Sequence, residues 1–193
     1  MIKQIAFGGI PDGAMMGIPA FMMFFTPGKD EEQTLEEVLK LIYFNQMKGK
    51  DLVVNLRGSF PKDDDEFITA LIFALKKDRA IIQIDTKGDE FHQWYPLGNR
   101  MVIHVDDKKE YPLLPCNELV YHLTTDEGPI VDIDAPLPMT TISNVDRGPR
   151  SKQEILDFIK ESKHAWRIYP KTLQPCVEIL YTKEKKENDP TNE

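Results

Sequence analysis

The chain has 193 residues, 41% of them hydrophobic and 29% charged, enough for one domain with a core of its own. Its formal charge of −8 excludes a general nucleic-acid binder, because neutralising phosphates takes clustered Lys and Arg. No stretch approaches the roughly 20 apolar residues of a membrane span, and no basic segment leads into an apolar one as in a signal peptide, so a cytoplasmic protein is expected.

Ile2 to Phe7 reads as a strand ending at Gly8-Gly9, followed by a Gly- and Pro-punctuated loop. Pro19 to Phe25 is a continuous apolar run between turn signals, as in a strand buried on both faces. Its methionines and phenylalanines are assigned to core packing. Thr34 opens a helix as N-cap, Glu37 completes a capping box, and Leu35, Val38, Leu39 and Ile42 form its apolar stripe. Asp51 to Leu56 is the next strand. Asp63 to Lys77 is a second helix, acidic in its first turn and basic in its last, in line with the helix dipole.

Strands are expected at Ala80 to Asp85, Met101 to Val105 and Leu119 to Leu123, and an irregular Pro- and Asp-rich segment from Thr124 to Pro149. Ser151 caps a third helix, with Glu154 in capping-box position. Ala165 to Tyr169 and Val177 to Tyr181 read as closing strands. The domain therefore spans 1–182, and the charged tail 183–193 is expected to be disordered. Strands alternating with helices point to an α/β fold with a mostly parallel sheet. The two cysteines, Cys116 and Cys176, stand alone and signal neither a zinc site nor an iron–sulfur site.

Several junction phrases stand in register with a known family. Gly17-Ile18-Pro19-Ala20 leads into the apolar strand, Thr34-Leu35-Glu36-Glu37 opens the first helix, Arg57-Gly58-Ser59-Phe60-Pro61 ends the next strand, and Asp85-Thr86-Lys87-Gly88 ends the one after. In this the chain resembles the compact radical S-adenosylmethionine proteins, above all the 7-carboxy-7-deazaguanine synthases, over about its first 110 residues. The resemblance implies a partial β/α barrel with helices on the outer face. It also implies what is missing: the family holds a four-iron cluster on three cysteines in the loop before the first helix, where this chain has Thr26-Pro27-Gly28-Lys29-Asp30 and no cysteine earlier than Cys116. The acid of the family's Gly-Gly-Glu-Pro turn is absent too. The expectation is a scaffold without cofactor or catalysis, serving as a binding, regulatory or accessory protein for a protein partner or a nucleotide-like anion, with homodimerisation left open. The alternative is a cofactor-free enzyme reusing the old pocket, for example on nucleotides or phosphoesters.

Ligands of parallel sheets sit beyond the carboxyl ends of the strands. Those ends carry Gly8-Gly9, Arg57 and Ser59, Asp85 with Thr86 and Lys87, His104 with Asp106 and Lys108, and His122. Arg57, Lys87 and Lys108 would attract a phosphate or carboxylate, with Ser59, Thr86 and His104 as further partners. His104 with Asp106 and Asp107 reads as a turn rather than a metal site. Asp63-Asp64-Asp65 lacks calcium-loop spacing. Phe91, Trp94 and Tyr95 are either a satellite core cluster or exposed anchors for a partner.

Overall fold

The structure, a computed structural model, describes residues 2–11, 15, 17–26, 33–46, 48–88, 90–106, 115–124, 129–130, 140–144, 150–162, 165–168 and 177–182. Nine strands and three helices are present: β1 (Ile2–Gly9), β2 (Pro19–Phe25), α1 (Leu35–Asn45), β3 (Val53–Gly58), α2 (Asp65–Lys77), β4 (Ile81–Thr86), β5 (Arg100–Asp106), β6 (Glu118–Leu123), β7 (Thr140–Asn144), α3 (Lys152–Glu161), β8 (Trp166–Ile168) and β9 (Val177–Thr182). They form one sheet in the order β8-β7-β6-β5-β4-β3-β2-β1-β9. The strands β2 to β8 are mutually parallel, whereas β1 runs antiparallel to both β2 and β9. The protein is therefore α/β with a mostly parallel sheet. That sheet is open, with β8 and β9 at opposite ends of the order.

The parallel strands follow one another across the sheet without a reversal. Right-handed crossovers that always step the same way deliver every helix to the same face. The packing agrees: Val38 and Ile42 of α1, Ile68, Leu71, Ile72 and Leu75 of α2 and Ile155 of α3 share one apolar cluster with Phe21, Met23, Val54, Leu56, Ile82, Ile84 and Ile103 of the sheet. No switch point of the doubly wound kind exists in such an order. The face opposite the helices takes its place as the expected location of a ligand, as inside a β/α barrel.

The expected capping boxes are present at both helix starts. Thr34 Oγ1 accepts from the Glu37 amide at 3.3 Å and Glu37 Oε2 accepts from the Thr34 amide at 2.9 Å. Ser151 and Glu154 repeat the exchange at 3.2 and 2.7 Å. Thr34→Ala should cost about 1 kcal/mol, read as a fall of about 2–4 °C in Tm. Between α1 and α2 the Tyr43 hydroxyl donates to Asp78, and burial together with that carboxylate pushes the phenol up to about 12.

The departures from the sequence reading have local causes. A short 3₁₀ turn at Lys62–Asp64 precedes α2, because Pro61 holds an extended backbone that the α-helix cannot include. The strand β7 lies in the segment expected to be irregular; its residues Thr-Thr-Ile-Ser-Asn carry little apolar signal, and it is held by pairing with β6 and β8. The antiparallel direction of β1 and β9 is set by pairing partners far apart in sequence. The tail 183–193, the loop 27–32, Lys108 and Cys176 lie outside the described residues.

Candidate functional site

Strand alternation sorts side chains between the two faces, and register aligns them across strands. On the helix-free face they form tiers. At the amino end, Ala20, Val53 and Ile81 stand in one row, and Ala20 and Val53 pack with Ile10, closing that end with apolar groups. The next row is Met22, Asn55, Gln83 and Arg100. The row nearest the carboxyl ends is Phe24, Arg57 and Asp85, with His104 on β5 and His122 on β6 lying further toward that rim. Polar groups thus begin above an apolar floor and continue to the strand ends.

This face is buried although no described helix covers it: Asn55 is 0% exposed, Gln83 1% and Asp85 2%. Asp85 organises the upper tier. Its Oδ1 accepts from Gln83 Nε2 at 2.7 Å, and its Oδ2 lies 3.4 Å from Arg57 Nε and 3.8 Å from His104 Nε2. Burial by itself raises the carboxyl pKa, but the facing His104, the Arg57 guanidinium and the Gln83 amide outweigh it and hold the group below the ordinary carboxylate value. At 3.8 Å the His104 contact is longer than a hydrogen bond and acts through charge.

His104 also meets His122, Nδ1 to Nε2, at 2.9 Å. The ring planes lie 11° apart with centroids 5.2 Å apart, about the widest spacing a nitrogen contact of that length permits. The two rings are therefore edge to edge, their nitrogens aimed along the line of centres. One nitrogen must carry the proton and the other present its lone pair. Two ligands of a common metal would instead converge on a point off that line. No group of three or more His, Cys, Asp or Glu side chains suited to a metal ion occurs among the described residues.

Below this tier, both polar atoms of the Asn55 amide and Gln83 Oε1 are buried with no hydrogen-bond partner among the described residues. An orphaned buried amide costs about 1–3 kcal/mol, so retaining one deep in a strand calls for a reason. Beside it, Arg100 Nη2 donates to the fully buried Glu118 Oε2 at 2.7 Å. Gly58 ends β3 at φ +116°, where a Cβ would meet the Phe25 carbonyl oxygen at 2.3 Å. Only glycine lets the chain turn away directly after Arg57.

Of the residues named from sequence, Arg57 and His104 come together through Asp85. Thr86 does not join them: it points to the helix face, where its hydroxyl lies 3.3 Å from Tyr95 Oη and accepts from the Gly88 amide at 3.1 Å. Ser59 and Lys87 are exposed beyond their strands. The aromatic segment divides. Trp94 (1% exposed) and Tyr95 (5%) are core residues, and only Phe91, at 56%, faces outward. As partner anchors, Trp94 and Tyr95 are ruled out by their burial; Asp65 Oδ1 fixes the segment by accepting from Trp94 Nε1 at 2.8 Å and from His92 Nδ1 at 2.6 Å. That gives Asp65 a structural task at the start of α2. Cys116 is half-buried and free, its thiol pushed up to about 11 by burial.

The reading from sequence missed Asn55, Gln83, Arg100 and Glu118. Their signal was present: a polar residue at every second position of an otherwise apolar strand, as in Ile81-Ile82-Gln83-Ile84-Asp85. No family model and no curated protein matches the chain. No helix among the described residues is long and apolar enough to cross a membrane.

Proposed function

We propose that this protein is a non-catalytic binding scaffold of radical-S-adenosylmethionine-like construction, which holds a small polar ligand on the helix-free face at the carboxyl ends of β3 to β6. The observation that carries the reading is the Asn55 amide, wholly buried with neither polar atom partnered among the described residues, on the same face as Arg57, Asp85 and His104. An amide in that position offers one donor and one acceptor side by side. The apolar floor of Ile10, Ala20 and Val53 below it, and polar groups above, give the arrangement of a pocket that opens at the strand ends. The unbroken strand order and single helix layer support the barrel-like construction. The absence of any cysteine before Cys116 supports binding over radical chemistry.

Side-chain amide NMR tests this reading. Among phosphate-, carboxylate- and amide-bearing metabolites, at least one should shift the Asn55 amide pair in a saturable way. An Asn55 signal that no compound moves would remove the basis of the proposal. A cofactor-free hydrolase acting on a phosphoester is the second reading, favoured by the alignment of Asp85, His104 and His122. Turnover of bis-p-nitrophenyl phosphate that disappears in His104→Gln would establish it.

A further inference from the structure

We infer that the His104–His122 pair makes this site proton-gated: it accepts a small oxyanion, phosphate-, sulfate- or carboxylate-like, together with one proton. The inference rests on the ligand site proposed above and adds the charge of the ligand and its control by pH.

The argument begins with the charges facing the pair. From β3 comes Arg57, from β4 Asp85, from β5 Arg100, and from β6 Glu118. The helices contribute none, because they pack on the other face. Arg57 lies against Asp85 at 3.4 Å and Arg100 against Glu118 at 2.7 Å, so these fixed charges cancel in pairs. Lys87 stands exposed at the end of β4. Asp106 follows on β5 with its side chain outside the described residues. The adjustable charge among the described residues is therefore the imidazole pair.

That pair is built to hold a proton. With His104 Nε2 facing Asp85 and its Nδ1 in line with His122 Nε2, a proton gained on either ring is shared along a single axis of hydrogen bonding. The counter-charge for it is already committed. The same Asp85 oxygen that faces His104 also faces Arg57, and Gln83 occupies the other oxygen. An imidazolium here lacks a full share of negative charge in a buried setting, and an arriving oxyanion supplies it. Conversely, an oxyanion entering the deprotonated site meets only cancelled pairs and the buried amides. Proton and oxyanion therefore favour each other's binding, and by linkage they do so equally.

Sulfate is a suitable probe because it does not change charge between about pH 5 and 8, where histidine does. Calorimetric titration of the full chain, in two buffers of different ionisation enthalpy, should show about one proton taken up per sulfate. The affinity should fall by up to about tenfold per pH unit as the pair deprotonates. His104→Gln combined with His122→Gln, checked for folding by circular dichroism, should abolish the proton uptake and flatten the pH profile. Sulfate binding with no proton uptake would overturn the gating and leave the ligand site standing. So would uptake that persists in the double variant. If sulfate binds at no pH while a neutral compound moves the Asn55 amide, the oxyanion class is wrong and the site survives. If neither binds, both proposals fall.

Discussion

Asp85→Ala should destabilise the protein by about 3–5 kcal/mol, the usual consequence of removing one member of a buried ion pair. At the sensitivity expected for a chain of this size, Tm falls by roughly 6–20 °C. The carboxylate is 2% exposed and faces Arg57 at 14% exposure, so solvent cannot stand in for either partner. The Gln83 amide loses its acceptor and His104 its facing charge in the same step. Replacing both members with apolar residues, Arg57→Met with Asp85→Leu, should recover much of the loss, since a desolvated pair gives back in Coulomb energy little more than its burial costs. A double variant as unstable as Asp85→Ala would show that the pair does not act as a unit.

The pH dependence follows from the same contacts. The Asp85 carboxyl is held below its ordinary value of 3.8, so the folded state binds its proton less readily than the unfolded chain does. Its contribution is fully present above that value and is lost as pH falls through the lower, folded-state pKa. Wild-type stability should therefore drop steeply below about pH 3.8, and Asp85→Asn should show a shallower acid limb in urea titrations at successive pH values. Equal acid limbs would contradict the depressed carboxyl.

How much of this was legible in the sequence depended on the range of the interaction. Capping residues act within one helical turn, and Thr34, Glu37, Ser151 and Glu154 do in the fold what their spacing announces. The apolar strands β2 to β4 were legible because burial on both faces leaves a continuous run. The strand β7 was not, because its pairing with β6 and β8, and no local preference of Thr140 to Asn144, makes it a strand. At the site, position along a strand was readable and the face was not used. Thr86 and Asp85 are neighbours in sequence, but alternation sends one toward Tyr95 and the other toward Arg57. Asn55 and Gln83 were passed over as strand interior, although a polar side chain in that setting is the more informative observation.

Asn55 provides the sharpest test of whether this face was kept for function. Asn55→Leu replaces an unpartnered buried amide with an apolar group of similar size next to Met22, its neighbour in register on β2. If no ligand required the amide, the protein would be better off without it, by about 1–3 kcal/mol of relieved desolvation. The unliganded variant should accordingly melt higher than wild type, by roughly 2–12 °C, and should lose the binding of any compound that shifts the wild-type amide. Stability gained with binding lost is the pattern of a site maintained against the interest of the fold. A variant that melts lower would mean that the amide is satisfied within the folded protein, and a variant that binds as well as wild type would mean that the ligand does not touch it. Differential scanning calorimetry and the same NMR titration read the two quantities on one sample, so a mere packing defect, which lowers both, separates cleanly from the expected opposition.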